Sequence, residues 1–471
     1  MKAPIYVKSL KLTNVRTFKE VELNLENEDG TIPQWTLIIG ENGIGKSTLL
    51  QCIAWMKPVP YSDINKKDYN NKIQPYITDE ENETFLRLVR KTKTKPELSA
   101  QIDAIFIANK KLNSKVLKEN ICNTSIKITL NSAGKLETVK HETNKPEQIF
   151  YKRMPIIYAY SASRRLGKLN MNDSELEDTL PQFIAERTVL FDAEDILHTS
   201  NYAALGAKGQ EKKKSKEYLD KVKLMLASVL PNIEKPEHIT IITPKLLSEY
   251  EKKGNVLLTT KHGLKIPFKN ASLGYRTVIS WTVDLAWRLF QEYPTSKDPL
   301  KEAAIVLIDE VDLHLHPKWQ REIMKNLSTH FPNVQFIATA HSPLMVQPEF
   351  DIEFDNKLIT IKPNYAVVKD DDDGGLIVLN DPHGIDGWRA DQILTSEDYF
   401  NLKSTRGIKY DELMDERKKL LAKKRLLNRD RVRLAIITKQ MSELPSGETA
   451  EEIKNRELIA KLASKIIDNK L

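Results

Sequence analysis

Gly40-Glu41-Asn42-Gly43-Ile44-Gly45-Lys46-Ser47-Thr48 is the stretch of sequence that decides the fold. It has the pattern G-x-x-x-x-G-K-S/T, and it follows an apolar run, Trp35–Ile39, that is typical of a buried strand. A strand that turns through glycines into a helix points its backbone N–H groups and the positive end of the helix dipole at one place. The stretch therefore predicts a phosphate-binding loop, with Lys46 on the phosphates and the Ser47 hydroxyl as a ligand of Mg²⁺.

A second apolar run, Ala303–Ile308, ends in two carboxylates, Asp309 and Glu310. An uninterrupted apolar run of this length is typical of a strand buried on both faces of a parallel sheet. Downstream of a phosphate loop, such a strand end indicates a Walker B motif. We therefore expect Asp309 to bind Mg²⁺ through oxygen. We expect Glu310 to orient and deprotonate the attacking water.

A third apolar run, Val334–Ala338, leads to His341. The carboxyl ends of parallel strands form the edge at which such sheets bind ligands. A histidine after a strand is more often structural, but its spacing from Glu310, with one helix between them, favours a role at the same edge. The sequence predicts that His341 senses the γ-phosphate by hydrogen bonding, and the candidate catalytic residues are Lys46, Glu310 and His341.

The stretch Ala271-Ser272-Leu273-Gly274-Tyr275 precedes a helical pattern, Thr277–Leu289, and Ser272 suits the N-cap of that helix. Together with the three stretches above, it resembles the signature motif of ABC-type ATPases of the RecF/OLD/SMC-like branch. The resemblance implies an α/β fold: a P-loop ABC-type ATPase head with a β subdomain and a helical insertion, followed by an α-helical C-terminal tail. It also implies a homodimer through the heads, in which Ser272, Leu273 and Gly274 of one subunit close over the ATP held by the other.

The first residues also resemble this branch. Two alternating runs, Ile5–Leu12 and Val21–Leu25, flank Asn14 and Arg16, as in the opening hairpin of RecF and OLD proteins. The resemblance implies that the loop arginine lies near the nucleotide, so Asn14 and Arg16 join the phosphate loop as candidate ATP-binding residues. A solvated hairpin turn without such a role is an equally acceptable interpretation of these two residues.

The composition limits the class of protein. The 471 residues suffice for two or three structural units, and no apolar run of the sequence approaches the roughly 20 residues that span a membrane. Because Cys52 and Cys122 are the only cysteines and no ligand pattern surrounds them, we expect free thiols in a reducing cytoplasm. The formal net charge of +7 permits contact with nucleic acid, so DNA is kept as a candidate partner.

Two other interpretations of the sequence are weaker. His314 and His316 have a spacing that would suit a zinc site on a strand, but many relatives of OLD proteins carry this Asp-x-His-x-His-Pro pattern without a metal. The acidic run Asp370–Asp373 has some likeness to a Toprim nuclease, but it lies between two apolar runs and predicts the turn of a β-hairpin. We therefore expect neither a zinc centre nor a nuclease site in this chain.

The predicted head spans residues 1–383, with a helical insertion at about residues 170–235. The distance between Lys46 and Ser272 along the chain leaves no room for the long heptad arms of an SMC protein. Residues 384–471 form the predicted tail, where leucines recur every seven residues from Leu413 to Leu434. A single apolar stripe predicts a helical hairpin that serves assembly or partner binding, and the second helix of the tail is predicted at about 450–469.

As a whole, the chain resembles the ATPase subunits of two-gene bacterial anti-phage defence systems, first that of the Septu system and second that of the PARIS system. The resemblance implies a slow regulatory ATPase, not itself a nuclease, that forms a homodimer or higher oligomer and controls a separate HNH nuclease. Two alternatives stay open: a RecF- or SMC-like DNA-repair ATPase without a nuclease partner, and a transporter's nucleotide-binding subunit. The opening hairpin and the charged tail count against the transporter.

Overall fold

The structure of the chain is a computed structural model, and it describes residues 4–27, 29–60, 73–77, 82–91, 96–108, 112, 120–144, 149–150, 153–169, 178–206, 208–230, 232–242, 256–347, 349–370, 375–382, 385, 388–402, 404–405, 407–423 and 427–442. The strands are β1 Ile5–Val15, β2 Phe18–Asn24, β3 Trp35–Ile39, β4 Pro58–Pro60, β5 Ile73–Pro75, β6 Ser99–Ala108, β7 Asn120–Leu130, β8 Leu136–Thr143, β9 Ile157–Tyr160, β10 Arg165–Leu169, β11 Val189–Phe191, β12 Ile239–Ile241, β13 Val256–Thr259, β14 Lys265–Pro267, β15 Ala304–Ile308, β16 Val334–Ala340, β17 Phe350–Phe354, β18 Lys357–Ile361, β19 Asn364–Asp370 and β20 Leu376–Asn380. The helices are α1 Lys46–Trp55, α2 Asn82–Leu88, α3 Thr179–Ile184, α4 Ala193–Gly206, α5 Gly209–Val229, α6 Leu273–Glu292, α7 Pro317–His330, α8 Ala390–Thr395, α9 Ile408–Leu421 and α10 Asn428–Ser442.

The central sheet brings the predicted motifs to one edge. Its strand order is β20-β19-β3-β16-β15-β9, and all neighbours are parallel except β20, which is antiparallel to β19. The three apolar runs predicted as buried strands form β3, β15 and β16, and every residue of these strands is buried. Because the phosphate loop, Asp309 and His341 follow the carboxyl ends of neighbouring parallel strands, they lie at the same edge of the sheet.

Alternate residues of the central strands face two separate hydrophobic cores. Along β15, Val306 and Ile308 belong to the core that contains α4, α5, α6 and α7. Ile305 and Leu307 belong to the core that contains α1 and the antiparallel sheet β2-β1-β6-β7-β8. Burial on both faces explains why these strands read as continuous apolar runs in the sequence.

Two predicted hairpins are present. Strands β1 and β2 pair antiparallel up to Val15 opposite Phe18, which confirms the opening hairpin. Strands β19 and β20 pair antiparallel from Asp370 opposite Leu376, which confirms the hairpin interpretation of the acidic run, although residues 371–374 lie outside the described part of the chain. Among the described residues, no group of three or more His, Cys, Asp or Glu side chains could hold a metal ion.

By its internal contacts the chain divides into two compact units, residues 1–393 with 398–400 and residues 394–397 with 401–471. The first unit contains α3, α4 and α5 in the region predicted to be a helical insertion, with the short strand β11 between α3 and α4. Among the described residues beyond the predicted head boundary, Ile385, Ile393 and Tyr399 are buried within this first unit.

The second unit contains a hairpin of α9 and α10. Arg433 donates to Glu416 from Nε at 2.7 Å and from Nη2 at 2.6 Å, which ties the two helices together. The heptad leucines do not share one helix, because α9 ends at Leu421 and α10 begins at Asn428. The helix predicted at 450–469 lies outside the described residues. None of the helices in the described ranges has the length and apolar character needed to cross a membrane.

Candidate nucleotide-binding site

The phosphate loop packs so closely that two of its glycines cannot carry a side chain. A Cβ on Gly40 would lie 2.4 Å from the carbonyl oxygen of Val368 in β19. Gly45 caps α1 with φ 99°, and a Cβ there would lie 2.9 Å from the Phe18 ring. The first turn of α1 therefore begins at Lys46 without a side-chain cap, as a phosphate cradle made of backbone N–H groups requires.

The Lys46 side chain folds back onto the loop. Its ammonium donates to the carbonyl oxygens of Gly40 at 2.8 Å and Glu41 at 2.6 Å. Burial lowers the pKa of Lys46 to about 8, although the nearby carboxylates of Asp309 and Glu310 act in the opposite direction. A polyphosphate in the loop would supply the negative charge that this buried ammonium lacks, so the residues present fit ATP.

The Walker B carboxylate lies against the end of the phosphate loop. The Ser47 hydroxyl donates to Asp309 Oδ2 at 2.8 Å, and the Thr339 hydroxyl donates to Asp309 Oδ1 at 2.7 Å. A hydroxyl and a carboxylate oxygen in contact are hard ligands of the type that Mg²⁺ prefers. Ser47 and Asp309 therefore fit the predicted Mg²⁺ position, and Thr339 fixes the carboxylate from β16.

Glu310 and His341 face each other across the ends of β15 and β16. Glu310 Oε1 and His341 Nε2 are 3.8 Å apart, and each side chain is about one-third exposed. The loop after β16 is held by Asp312, whose Oδ2 accepts from the backbone N–H groups of His341 at 2.9 Å and Ser342 at 2.7 Å. This arrangement leaves a carboxylate and an imidazole open to a water molecule beside the phosphate loop.

Arg164 was not among the predicted site residues, yet it contacts the Walker B backbone. Its Nη2 donates to the carbonyl oxygens of Asp309 at 2.8 Å and Glu310 at 2.9 Å. Burial lowers the pKa of Arg164 to about 10, although the nearby carboxylate of Asp309 acts in the opposite direction. The stretch Tyr158–Arg165 resembles a Tyr-Gly-x-x-Arg element that is often seen in this branch, but its glycine is missing. The pattern did not indicate a contact with residues so distant along the chain.

Arg16 reaches the phosphate-loop helix from the opening hairpin. Its Nη1 donates to Thr48 Oγ1 at 3.0 Å and to Gln51 Oε1 at 2.8 Å, and its guanidinium lies 5.7 Å from the ring centroid of Trp55. Asn14 and Arg16 both have a left-handed backbone, with φ of 54° and 49°. Arg16 and the loop line a cleft of about 450 Å³ together with Thr17, Glu41, Asn42, Gly43, Ile44, Arg90, Lys91, Asp370, Gly375 and Leu376.

The signature stretch lies in a different cleft. Ser272 caps α6 by accepting from the Tyr275 N–H at 3.4 Å, and a Cβ on Gly274 would lie 2.4 Å from the carbonyl oxygen of His314. Leu273 is 43% exposed. The cleft measures about 370 Å³ and is lined by Asn232, Ser272, Gly274, Tyr275, His314, His316, Lys318 and Trp319. Its lining shares no residue with that of the phosphate-loop cleft.

The two histidines of the weaker zinc interpretation both line the signature cleft. His316 caps α7, where its Nδ1 accepts from the Lys318 N–H at 3.3 Å. His314 adopts a left-handed backbone with φ 63° and lines the signature cleft.

Comparison with known proteins defines the class. The family described as AAA ATPase domain matches residues 6–346, which is more than half of the chain. The chain therefore belongs to this family, and it is an ATPase. The match and the arrangement of strands around the phosphate loop confirm the predicted α/β P-loop fold.

Particular relatives are similar over most of the chain. The Retron Vc95 probable ATPase of Vibrio cholerae serotype O1 biovar El Tor is 27% identical over 384 residues, covering 73% of this chain and 72% of the relative. The Septu protein PtuA of Bacillus mycoides strain KBAB4 is 22% identical over 360 residues, covering 74% of this chain but 40% of the relative. The chain thus spans less than half of that Septu protein, and the predicted resemblance to the Septu ATPase is confirmed.

Among solved structures, the SMC head domain from Thermotoga maritima aligns with a TM-score of 0.39 at 12% identity, covering 80% of this chain and 99% of that one.

Proposed function

We propose that this chain is the ATP-binding and ATP-hydrolysing regulatory subunit of a bacterial anti-phage defence complex, and that it controls a separate nuclease of the HNH type in the cytoplasm. The similarity to a Septu protein and to a retron ATPase supports the defence role. In this proposal the chain itself cuts no DNA. Incubation of the purified protein with plasmid and Mg²⁺ or Mn²⁺ tests that point, and cleavage that disappears on substitution of Asp371 and Asp373 would contradict it.

The chemistry of the site follows from its contacts. The loop amides and Lys46 bind the phosphates, and Ser47 with Asp309 would hold Mg²⁺, which neutralises phosphate charge when bound. Glu310 takes the proton of the attacking water, and His341, 3.8 Å from it, is placed to sense the γ-phosphate. Slow turnover, well below the roughly 10 per second of a typical enzyme, would suit a switch.

Glu310→Gln tests the chemistry. The amide cannot accept a proton, so we expect ATP affinity to be retained while hydrolysis falls by roughly 100- to 10,000-fold. Single-turnover measurements with the wild-type chain as reference provide the comparison. Wild-type turnover in the variant would show that the base lies elsewhere.

The proposal that ATP switches the protein between separate and joined heads rests on the separation of the two clefts. Ser272 and Gly274 line a different cleft of the chain from the phosphate loop, and in this proposal a second copy supplies the signature stretch over each nucleotide. ATP would then join two heads, and hydrolysis would release them. A higher oligomer built from such dimers is part of the same proposal.

Mixing two inactive variants tests this arrangement. Lys46→Ala removes the phosphate contact, and Leu273→Arg places a charged side chain on the exposed signature stretch without removing the Ser272 cap. Each variant alone should be inactive. An equal mixture should regain about a quarter of the wild-type rate, because half of the dimers are mixed and each of these has one intact site. A mixture that stays inactive would contradict the shared site.

We further propose that the tail serves assembly or partner binding. The second unit exposes large apolar side chains, including Ile408 at 79%, Val432 at 61% and Leu421 at 55%. Apolar surface of this kind marks interaction sites. Basic residues on the same helices would also permit contact with DNA. Co-purification with the product of a neighbouring nuclease gene would distinguish this role from that of a DNA-repair ATPase without a nuclease partner.

A further inference from the structure

The peptide between Asp309 and Glu310 is held in an unusual conformation. Glu310 has φ 52°, a left-handed backbone that residues with a Cβ seldom adopt. Such a conformation persists only where surrounding contacts hold it. The turn lets two consecutive carboxylates face different partners: Asp309 lies 2.8 Å from the Ser47 hydroxyl, and Glu310 lies 3.8 Å from His341.

Contacts from two other elements hold this peptide. On one side, the Glu310 N–H donates to Thr339 Oγ1 at 2.7 Å. On the other side, Arg164 Nη2 donates to both consecutive carbonyl oxygens, at 2.8 and 2.9 Å. A charged donor makes these hydrogen bonds stronger than neutral ones. Arg164 therefore contacts the backbone of the Walker B turn and neither of its carboxylates.

The loop that carries Arg164 is itself fastened to the phosphate-loop helix. The Ser163 hydroxyl donates to the carbonyl oxygen of Glu186, and the Glu186 carboxylate accepts from Gln51 Nε2 at 3.2 Å. Gln51 in turn accepts from Arg16 at 2.8 Å. A connected set of hydrogen bonds thus runs from the opening hairpin through α1 to the residue beside Arg164.

From these contacts we infer that Arg164 is a positioning residue for hydrolysis: it holds the backbone of Glu310 in the left-handed conformation that directs the carboxylate toward the attacking water. The inference rests on the proposed role of Glu310 as the base. Loss of the guanidinium lets the peptide turn back toward an ordinary conformation. A displacement of about 1 Å in a catalytic group costs roughly 100-fold in rate.

The test compares Arg164→Ala and Arg164→Lys with a matched control, Arg153→Ala. Arg153 precedes β9 whereas Arg164 follows it, and Arg153 donates from Nη2 to the Tyr293 hydroxyl at 2.7 Å, away from the Walker B turn. For Arg164→Ala we expect kcat to fall roughly 100-fold, with the Kd of a slowly hydrolysed ATP analogue changed less than about twofold. Arg164→Lys should recover part of the rate, because one ammonium can still donate to a carbonyl, and Arg153→Ala should keep the wild-type kcat.

A double variant separates positioning from other roles. If Arg164 acts through Glu310, then Arg164→Ala should lower the residual single-turnover rate of Glu310→Gln little further. If the double variant instead loses a further factor as large as that of Arg164→Ala alone, Arg164 acts on something other than Glu310 and the inference is overturned. A raised Kd with unchanged kcat would also overturn it, as would an equal loss in Arg153→Ala accompanied by a lower Tm.

The outcomes also separate this inference from the proposed chemistry. If Glu310→Gln keeps wild-type turnover, the base assignment fails and the positioning role fails with it. If Glu310→Gln is inactive while Arg164→Ala hydrolyses ATP normally, the base assignment stands and only the role of Arg164 is overturned.

Discussion

The nucleotide edge of the central sheet and the α9–α10 hairpin differ most in what they bury. At the edge, the polar side chains of Thr339 and Lys46 are enclosed, at 0% and 5% exposure, and each is hydrogen-bonded to other residues of the site. In the hairpin, Leu420 and Ile437 are buried, but large apolar side chains such as Ile408 stay exposed. Enclosure on rigid strands fixes geometry to the precision that catalysis needs. Exposed apolar surface on a helical hairpin is suited to association.

The largest expected effect concerns the edge alone. Lys46→Ala should abolish nucleotide binding, because the loop loses the point charge that faces the β- and γ-phosphates. Calorimetry with a slowly hydrolysed ATP analogue measures this, with Lys212→Ala, an exposed lysine of α5, as the control. Unchanged affinity in Lys46→Ala would remove the assignment of the phosphate loop.

The second prediction concerns the hairpin alone. Deleting residues 401–471 should change the affinity for the ATP analogue less than about twofold, because the phosphate-loop cleft is lined by residues of the first unit, while assembly or partner binding weakens. Size measurements and partner pull-downs test this, and the cut keeps Tyr399, which is buried in the first unit. In the full chain, Val432→Gln should weaken the same association. Leu264→Gln, which alters a residue of the first unit that is likewise 61% exposed, is its control.

The difference in burial between the nucleotide edge and the α9–α10 hairpin explains which features the sequence could predict. Runs such as Ala303–Ile308 predict buried strands because both faces of the sheet are covered. The position of Ser272 before a helical pattern predicts an N-cap, and Ser272 caps α6 in the structure. The contact of Arg164 with Asp309 joins residues 145 positions apart, which local patterns do not encode. The regular leucine spacing of the tail did not reveal that the helix ends at Leu421, since the hairpin buries too little for its pattern to specify one structure.

A smaller effect, again at the nucleotide edge, is the uptake of protons when ATP binds. Burial lowers the pKa of Lys46 to about 8, and bound phosphates would favour the ammonium form and raise this pKa. ATP binding should therefore take up a fraction of a proton at about pH 8 to 9, and affinity should fall as pH rises through that range. Calorimetry in two buffers of different ionisation enthalpy measures the uptake. Lys46→Arg, whose guanidinium stays charged, should show none, and equal uptake in both proteins would contradict the prediction.

The smallest predicted effect is an acid sensitivity of the first unit that a buried histidine causes. His330, at the end of α7, has Nε2 at 2.5 Å from the Ser228 hydroxyl of α5, and burial lowers its pKa to about 4 from 6.5. The unfolded chain therefore binds this proton at a higher pH than the folded chain, so stability should be lost as pH falls from about 6.5 toward 4. His330→Gln should flatten the decline of Tm over this window, whereas His262→Gln, at an exposed position between β13 and β14, should leave the decline unchanged. Parallel curves for the wild type and His330→Gln would show that the buried imidazole is not the source of the acid sensitivity.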